Sequence, residues 1–176
     1  LPLVAALMAG SFTAVVTALA VARAMVVEGS VLASLAPKSA TAPVAIGISQ
    51  NLGGSPTLTA VLVIMTGIIG AVVATPLLNL LGMKDWRARG FAVGVAAHGI
   101  GTARAFQVNP TAGAFAGLGM GLNAIVTAVL APIFETLVKA DPATLELRPA
   151  LAAIEAGFEV FVVTDASGTF NEITRH

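Results

Sequence analysis

The polar chemistry of this chain is concentrated in two stretches. Ser34–Gly54, SLAPKSATAPVAIGISQNLGG, carries Lys38, Ser39 and Thr41 beside Pro37 and Pro43. Gly94–Pro110, GVAAHGIGTARAFQVNP, carries His98, Thr102 and Arg104 among small residues. An ammonium, an imidazole, a guanidinium and several hydroxyls are the donors that hold a carboxylate. No enzyme constellation accompanies them. His98 has no acid near it in sequence and Ser39 has no base. P-loop, zinc-ligand and dinucleotide spacings are absent, so no cofactor is expected. Zero cysteines exclude disulfides, thiolate metal sites and a Cys nucleophile. The basic residues are too few and too scattered to bind nucleic acid.

The elements that must position these groups are membrane spans. Of 176 residues, 57% are hydrophobic and 10% charged, with mean hydropathy +0.93. Soluble domains carry about 25% charge. Leu1–Ala22 is uncharged for 22 residues, Thr57–Leu81 for 25 and Thr111–Phe134 for 24. Each is long enough for a bilayer, which takes about 20 apolar residues. Leu1–Ala22 lacks the basic n-region of a signal peptide.

The zero net charge hides a split. Residues 1–139 hold 7 Lys/Arg and 3 Asp/Glu, net +4, while residues 140–176 hold 2 and 6, net −4. That shift marks a boundary near Ala140, giving domains 1–139 and 140–176.

Both polar stretches should interrupt a helix. Proline lacks the N–H and clashes with the preceding turn, so the first must break near Pro37 or Pro43. A half-helix starting at Pro37 would offer free N–H groups to an anion beside Lys38. The competing reading has Lys38 snorkelling from a span end, with Ser39 and Thr41 capping the break. In the second stretch, Gly99 and Gly101 allow a backbone turn beside His98. Lipid tolerates such breaks only where they are buried in protein or line a cavity. Discontinuous helices carrying charge are the site-forming device of secondary transporters. His98 and Lys38 are therefore expected at one shared cavity, with Arg104 reaching it or the outer interface.

The remaining features are structural. Thr13 and Thr17 can bond back to helix carbonyls. Gly67, Gly70, Ala71 and Ala74 form a small-residue face for close packing. Gly113, Gly117 and Gly121 are four apart and make a groove for a neighbouring helix, with Asn123 beside it able to bond a broken backbone. With five crossings, the positive-inside rule puts Arg23, Gly82–Arg89 and Lys139 in the cytoplasm. Residue 1, Gln50–Pro56 and Arg104–Pro110 would then face outward.

On four segments the chain resembles the LrgB family of bacterial membrane proteins. They are SLAPKSATAPVAIGISQNLGG (34–54), TAVLVIMTGIIGAVV (59–73), RGFAVGVAAHGIGTARAF (89–106) and GAFAGLGMGLNAIVTAVLAP (113–132). That family includes CidB and the LrgB half of plant plastid glycolate/glycerate translocators. The resemblance implies a multi-pass inner-membrane protein with further spans before residue 1. It also implies a link to murein hydrolase control and autolysis, and a partner of the LrgA/CidA type. Through the plant relatives it implies transport of small hydroxy-carboxylates. Residues 149–176, PALAAIEAGFEVFVVTDASGTFNEITRH, resemble a piece of an isochorismatase-like cysteine hydrolase. The nucleophilic Cys has no counterpart, so no catalysis transfers.

The expected fold is an all-α transmembrane bundle with two interrupted helices and a short α/β-like tail. Two functions fit it. One is a monocarboxylate carrier binding through Lys38, Ser39, Thr41, His98, Thr102, Arg104 and Asn123. The other is a non-transporting regulator acting by helix contact with a holin-like partner, for which the glycine stripe speaks. A hydrolase defined by the tail is a third. A homo-oligomer in lipid is expected in the first two.

Overall fold

The computed structural model describes residues 2–25, 27, 29–139, 162–164 and 169–171. It divides into two compact units, Leu1–Glu135 and Thr136–His176. The first contains α1 (Pro2–Ala24), α2 (Gly29–Leu35), α3 (Ala42–Asn51), α4 (Pro56–Leu80), α5 (Trp86–Val108) and most of α6 (Pro110–Lys139). In the second unit, β1 (Val162–Thr164) and β2 (Thr169–Asn171) pair antiparallel, with Val163 opposite Phe170. The sequence of 149–176 reads as a helix over 149–156 and a turn over 165–168, and both segments lie outside the described residues.

Three helices are long and apolar enough to cross a membrane: α1, α4 and α6 over Pro110–Ile133. Their packing is inverted relative to a soluble bundle. In α4 the buried stripe is Thr59, Val63, Gly67 and Leu78, while Ile64, Met65, Ile68, Ile69, Val72 and Val73 are exposed. In α1 Ser11 lies on the buried stripe with Leu7, Val15 and Leu19, and Val4, Met8, Phe12 and Val21 point out. Bulky apolar residues outside and small or hydroxylic ones inside suit lipid, where packing rather than hydrophobicity joins helices.

The other elements do not cross; they turn back. α5 reverses at His98, whose φ of 41° and ψ of −134° break the helix into arms 86–97 and 99–108. A straight helix would hold Val93 and Ala105 about 18 Å apart. Instead Val93 packs against the buried cluster of Ala105, Ala112 and Ala116. Trp86 and Arg104 likewise line one cleft. The arms therefore form a hairpin. α2 and α3 form another, turning through residues 36–41. Thr59 Oγ1 lies 3.2 Å from Ser34 O and 2.6 Å from Ser49 Oγ, so the end of α2 that leads into the turn lies beside the outer end of α3.

α4 gives the depth of each hairpin. Thr59 meets Ser34, at the end of α2, and Ser49, at the outer end of α3, while Val63 packs with Ala40 and Ala45 nearer the tip. Gly67 lies against His98 and Ile100, and Gly70 against Ala97. Leu78 joins Trp86 and Arg89 at the base of α5. One hairpin enters from the face where α4 begins (the near face) and the other from the face where it ends (the far face). Their tips meet beside Val63–Gly67, close to the middle of α4. Each arm of α5 is about 15–18 Å long, half of a 30 Å hydrocarbon core.

The remaining spans agree with this arrangement. Leu7 of α1 packs with Phe91 and Val95, so α1 begins at the far face. A β-carbon on Gly90 or Gly94 would run into the backbone of Ala112 or Ala116, so α6 starts at the same face and runs beside the first α5 arm. Ala131, near its other end, packs with Ala33 and Leu52 at the near face.

Five crossings are thus replaced by three spans and two opposed hairpins. Gly82–Arg89 and Arg104–Pro110 lie on one face, together with the start of α1, whereas Arg23 lies on the other. The half-helix after the first break begins at Ala42, not Pro37, because Pro43 occupies its first turn. The second turn is made by His98 itself rather than by Gly99 or Gly101.

Because the chain has no native cysteine, single-cysteine labelling tests this topology directly. Lys84→Cys and Gln107→Cys should label from the same side and Asn51→Cys from the other; opposite labelling of 84 and 107 would restore five crossings. Gly94→Ala should lower the thermal stability of the purified protein by about 1–3 kcal/mol through overpacking. Gly117→Ala, with nothing within 4 Å of its β-carbon position, should leave it unchanged or slightly raised.

Candidate functional site where the hairpin tips meet

The first tip is a run of turns. Ala36 N donates to Leu32 O, Lys38 N to Leu35 O and Ala40 N to Pro37 O. This satisfies much of the backbone that Pro37 would otherwise orphan. Asn123, 1% exposed on α6, ties the tip to the spans. Its Nδ2 donates to Ser39 O at 2.9 Å, and its Oδ1 accepts from Ser11 Oγ at 2.6 Å. One amide thereby links α1, α6 and the first break.

The second tip is clamped by α4. His98 Nε2 lies 2.8 Å from Val63 O. A carbonyl only accepts, so Nε2 carries the proton in this bond. Gly67 makes the approach possible, since a β-carbon there would strike His98 Cε1. Thr102 Oγ1 donates to His98 O at 2.7 Å and stitches the return arm to the turn. A positive φ at a non-glycine residue costs about 1–3 kcal/mol and persists only where its surroundings enforce it.

Lys38 is half-buried, and among the described residues its ammonium has one hydrogen-bond partner, Ser39 Oγ at 3.2 Å. His98 and the turn that carries Lys38 both meet Val63, whose carbonyl accepts from His98 and whose side chain packs with Ala40. Among the described side chains the one carboxylate is Asp85, paired with Arg87 at 3.1 Å in the loop before α5. The tips therefore bring a lysine and a histidine to one place with no described acid side chain beside them.

The structure brings together Lys38, Ser39, His98, Thr102 and Asn123. Thr41 stands at the end of the same turn as the residue before α3, but its side chain makes no capping bond. Thr102 and Asn123 spend their polar groups on the backbone and on Ser11. Arg104 is elsewhere: it is exposed, its Nη1 is 3.2 Å from Gln107 Oε1, and it lines a cleft at the base of the hairpin. The return at His98 carries it away from the tip toward the far face. Sequence reading missed Ser11 and Val63, and gave Gly67 a packing role without its partner His98. Ser11 in an apolar span and a glycine opposite a histidine were visible signals, but Val63 acts through its carbonyl and carries none.

Residues 1–137 match the LrgB-like family. The chain belongs to that family. The Holin-like protein CidB of Staphylococcus epidermidis is 42% identical over 102 residues, covering 58% of this chain and 44% of that protein. The Holin-like protein CidB of Staphylococcus aureus is 39% identical over 103 residues, 58% and 45% of the two chains. YwbG of Bacillus subtilis is 34% identical over 123 residues, 70% of this chain and 55% of the other. The chain spans about half the length of these relatives. No solved structure matches it. With its three apolar spans, this LrgB-like chain is a multi-pass bacterial membrane protein. The family match stops at residue 137, and the resemblance of 149–176 to an isochorismatase-like hydrolase gains no support.

Asn123→Leu should cost about 1–3 kcal/mol for each group it orphans, read as a lower unfolding temperature in detergent. At position 98, glycine relieves the positive φ whereas alanine does not. His98→Gly should therefore unfold at a higher temperature than His98→Ala; the reverse order would mean the turn is not strained.

Proposed function

We propose that the chain is the core of a carrier for small monocarboxylates of the glycolate, lactate or pyruvate type, tied physiologically to control of murein hydrolase activity and autolysis. The observation that carries this reading is the meeting, at mid-membrane, of two hairpins from opposite faces, bearing Lys38 and His98 with no described acid beside them. A lone cation at that depth costs about 2.5–3.5 kcal/mol even on insertion scales. A carboxylate bound between the tips offsets that cost through charge-assisted hydrogen bonds. Each hairpin separates the site from one face. Movement of the α2–α3 tip opens it to the near face and movement of the α5 tip to the far face. Access from alternate sides then needs no passage open at both ends.

A second reading is favoured by a different observation. Along α6 the β-carbon positions of Gly117 and Gly121 have nothing within 4 Å, so the groove is open there. The staphylococcal relatives are named holin-like. On this reading the groove receives a helix of an LrgA/CidA-type partner, and the protein regulates without transport.

Uptake of labelled glycolate, lactate and pyruvate into proteoliposomes separates the two. The carrier reading expects saturable uptake of at least one of them. Lys38→Gln and His98→Gly should each lower uptake efficiency about 10-fold or more, as loss of a hydrogen bond to a charged group costs about 1.5–3 kcal/mol. Thr17→Val, which loses a bond to Thr13 O on the exposed side of α1, should transport normally. No uptake of any of the three acids would leave the regulator as the better reading.

A further inference from the structure

A basic cleft lies away from the hairpin tips, at the far face, between α4 and the two arms of α5. It is a shallow, partly open cleft of about 30 Å³, and Trp86, Arg89, Arg104, Leu78, Val93 and Val108 line it. Arg89 is only 8% exposed. Its guanidinium carbon sits 4.8 Å from the centre of the Trp86 ring, and Nη1 donates to Met83 O at 2.9 Å. A guanidinium has five N–H donors. Among the described residues no carboxylate takes the rest. Arg87, with which Asp85 is paired, holds the Asp85 carboxyl below the usual carboxylate range. A buried guanidinium thus borders a cleft that also holds Arg104 and no acid, on a wall that is otherwise largely apolar.

We propose that this cleft binds the phosphodiester headgroup of an anionic membrane lipid, with Arg89 and Arg104 on the phosphate oxygens and an acyl chain along Leu78, Val93 and Val108. Three observations select a lipid over a soluble anion. Trp86 marks the headgroup level, where indole rings collect. From Trp86 to Val93 the cleft descends about 10 Å toward the hydrocarbon. The same face carries Lys84, Arg87, Arg89 and Arg104 against Asp85, so the positive-inside rule makes it cytoplasmic, and the cytoplasmic leaflet attracts basic groups through its anionic lipids. Planar guanidinium forks match phosphate oxygens in pairs. The proposal is independent of the carboxylate site, because none of its residues lies at the hairpin tips.

The single tryptophan of the chain is Trp86, so its fluorescence reports this cleft alone. The purified chain in a non-ionic detergent is titrated with dioctanoyl phosphatidylglycerol, dioctanoyl phosphatidylcholine and inorganic phosphate. The expected result is a saturable change with phosphatidylglycerol, absent with phosphatidylcholine and with millimolar phosphate. Arg89→Gln should weaken the apparent affinity at least 10-fold. Arg104→Gln, at an exposed position where folding is undisturbed, should weaken it severalfold with the helical circular dichroism intact. Equal responses to the two lipids, or wild-type affinity in both variants, would overturn the proposal. Saturation by inorganic phosphate alone would overturn the lipid assignment in favour of a soluble anion.

Discussion

The bilayer interior leaves no water for an unpaired backbone group, and this chain turns back inside it twice. Every other feature of the bundle answers to that constraint. At the first turn the side chain of Asn123 takes up Ser39 O, with Ser11 completing the amide. At the second, Thr102 takes up His98 O, and the imidazole is fixed on Val63 O. Among the described residues every buried side-chain nitrogen and oxygen has a hydrogen-bond partner. Removing one partner in such a place exposes the full desolvation penalty of the other, which makes these few bonds worth more than their number suggests.

The same constraint explains why the spans pack through glycine, alanine and hydroxyls. A hairpin inserted among three spans must lie close to all of them, and bulky residues would hold it off. Gly90 and Gly94 let the first α5 arm touch the backbone of α6, and Gly67 admits the His98 ring. Near the base of the other hairpin, Ser34, Ser49 and Thr59 form a buried hydroxyl cluster, and Ser34 Oγ accepts from Ser55 N at 2.7 Å. Large side chains are left on the outside, where lipid rather than water receives them.

Much of this was legible in the sequence and some was not. The three spans follow from apolar length alone, and the two breaks from Pro37 and from His98 among glycines. The direction of the chain after each break was not legible. Hydropathy reports depth, and a half-helix that returns has the same composition as one that continues. That is why Arg104, six residues past His98, was expected at the tip or the outer interface and lies at the base of the hairpin, lining the same cleft as Arg89. The helix starts were better marked than they were read. Ser55, Asp85 and Asn109 each accept a hydrogen bond from the first turn of the following helix, at Leu58 N, Arg87 N and Thr111 N. Two of them stand before a proline in the first helical position.

Those prolines expose the plan of the molecule. Pro2, Pro56 and Pro110 begin the three spans and are 54 residues apart. A span followed by a hairpin fills each interval, and a span carries the chain to the opposite face. The span and hairpin of 56–109 are therefore inserted upside down relative to those of 2–55, and the two tips approach from opposite sides without any further device. The two segments are not copies in detail. The first reverses through a run of turns around Lys38, the second at the single residue His98. On the proposed carrier reading, an inverted pair with unequal tips would supply two gates that need not open under the same condition. That arrangement suits the proposed carrier, which would expose one site to two compartments in turn.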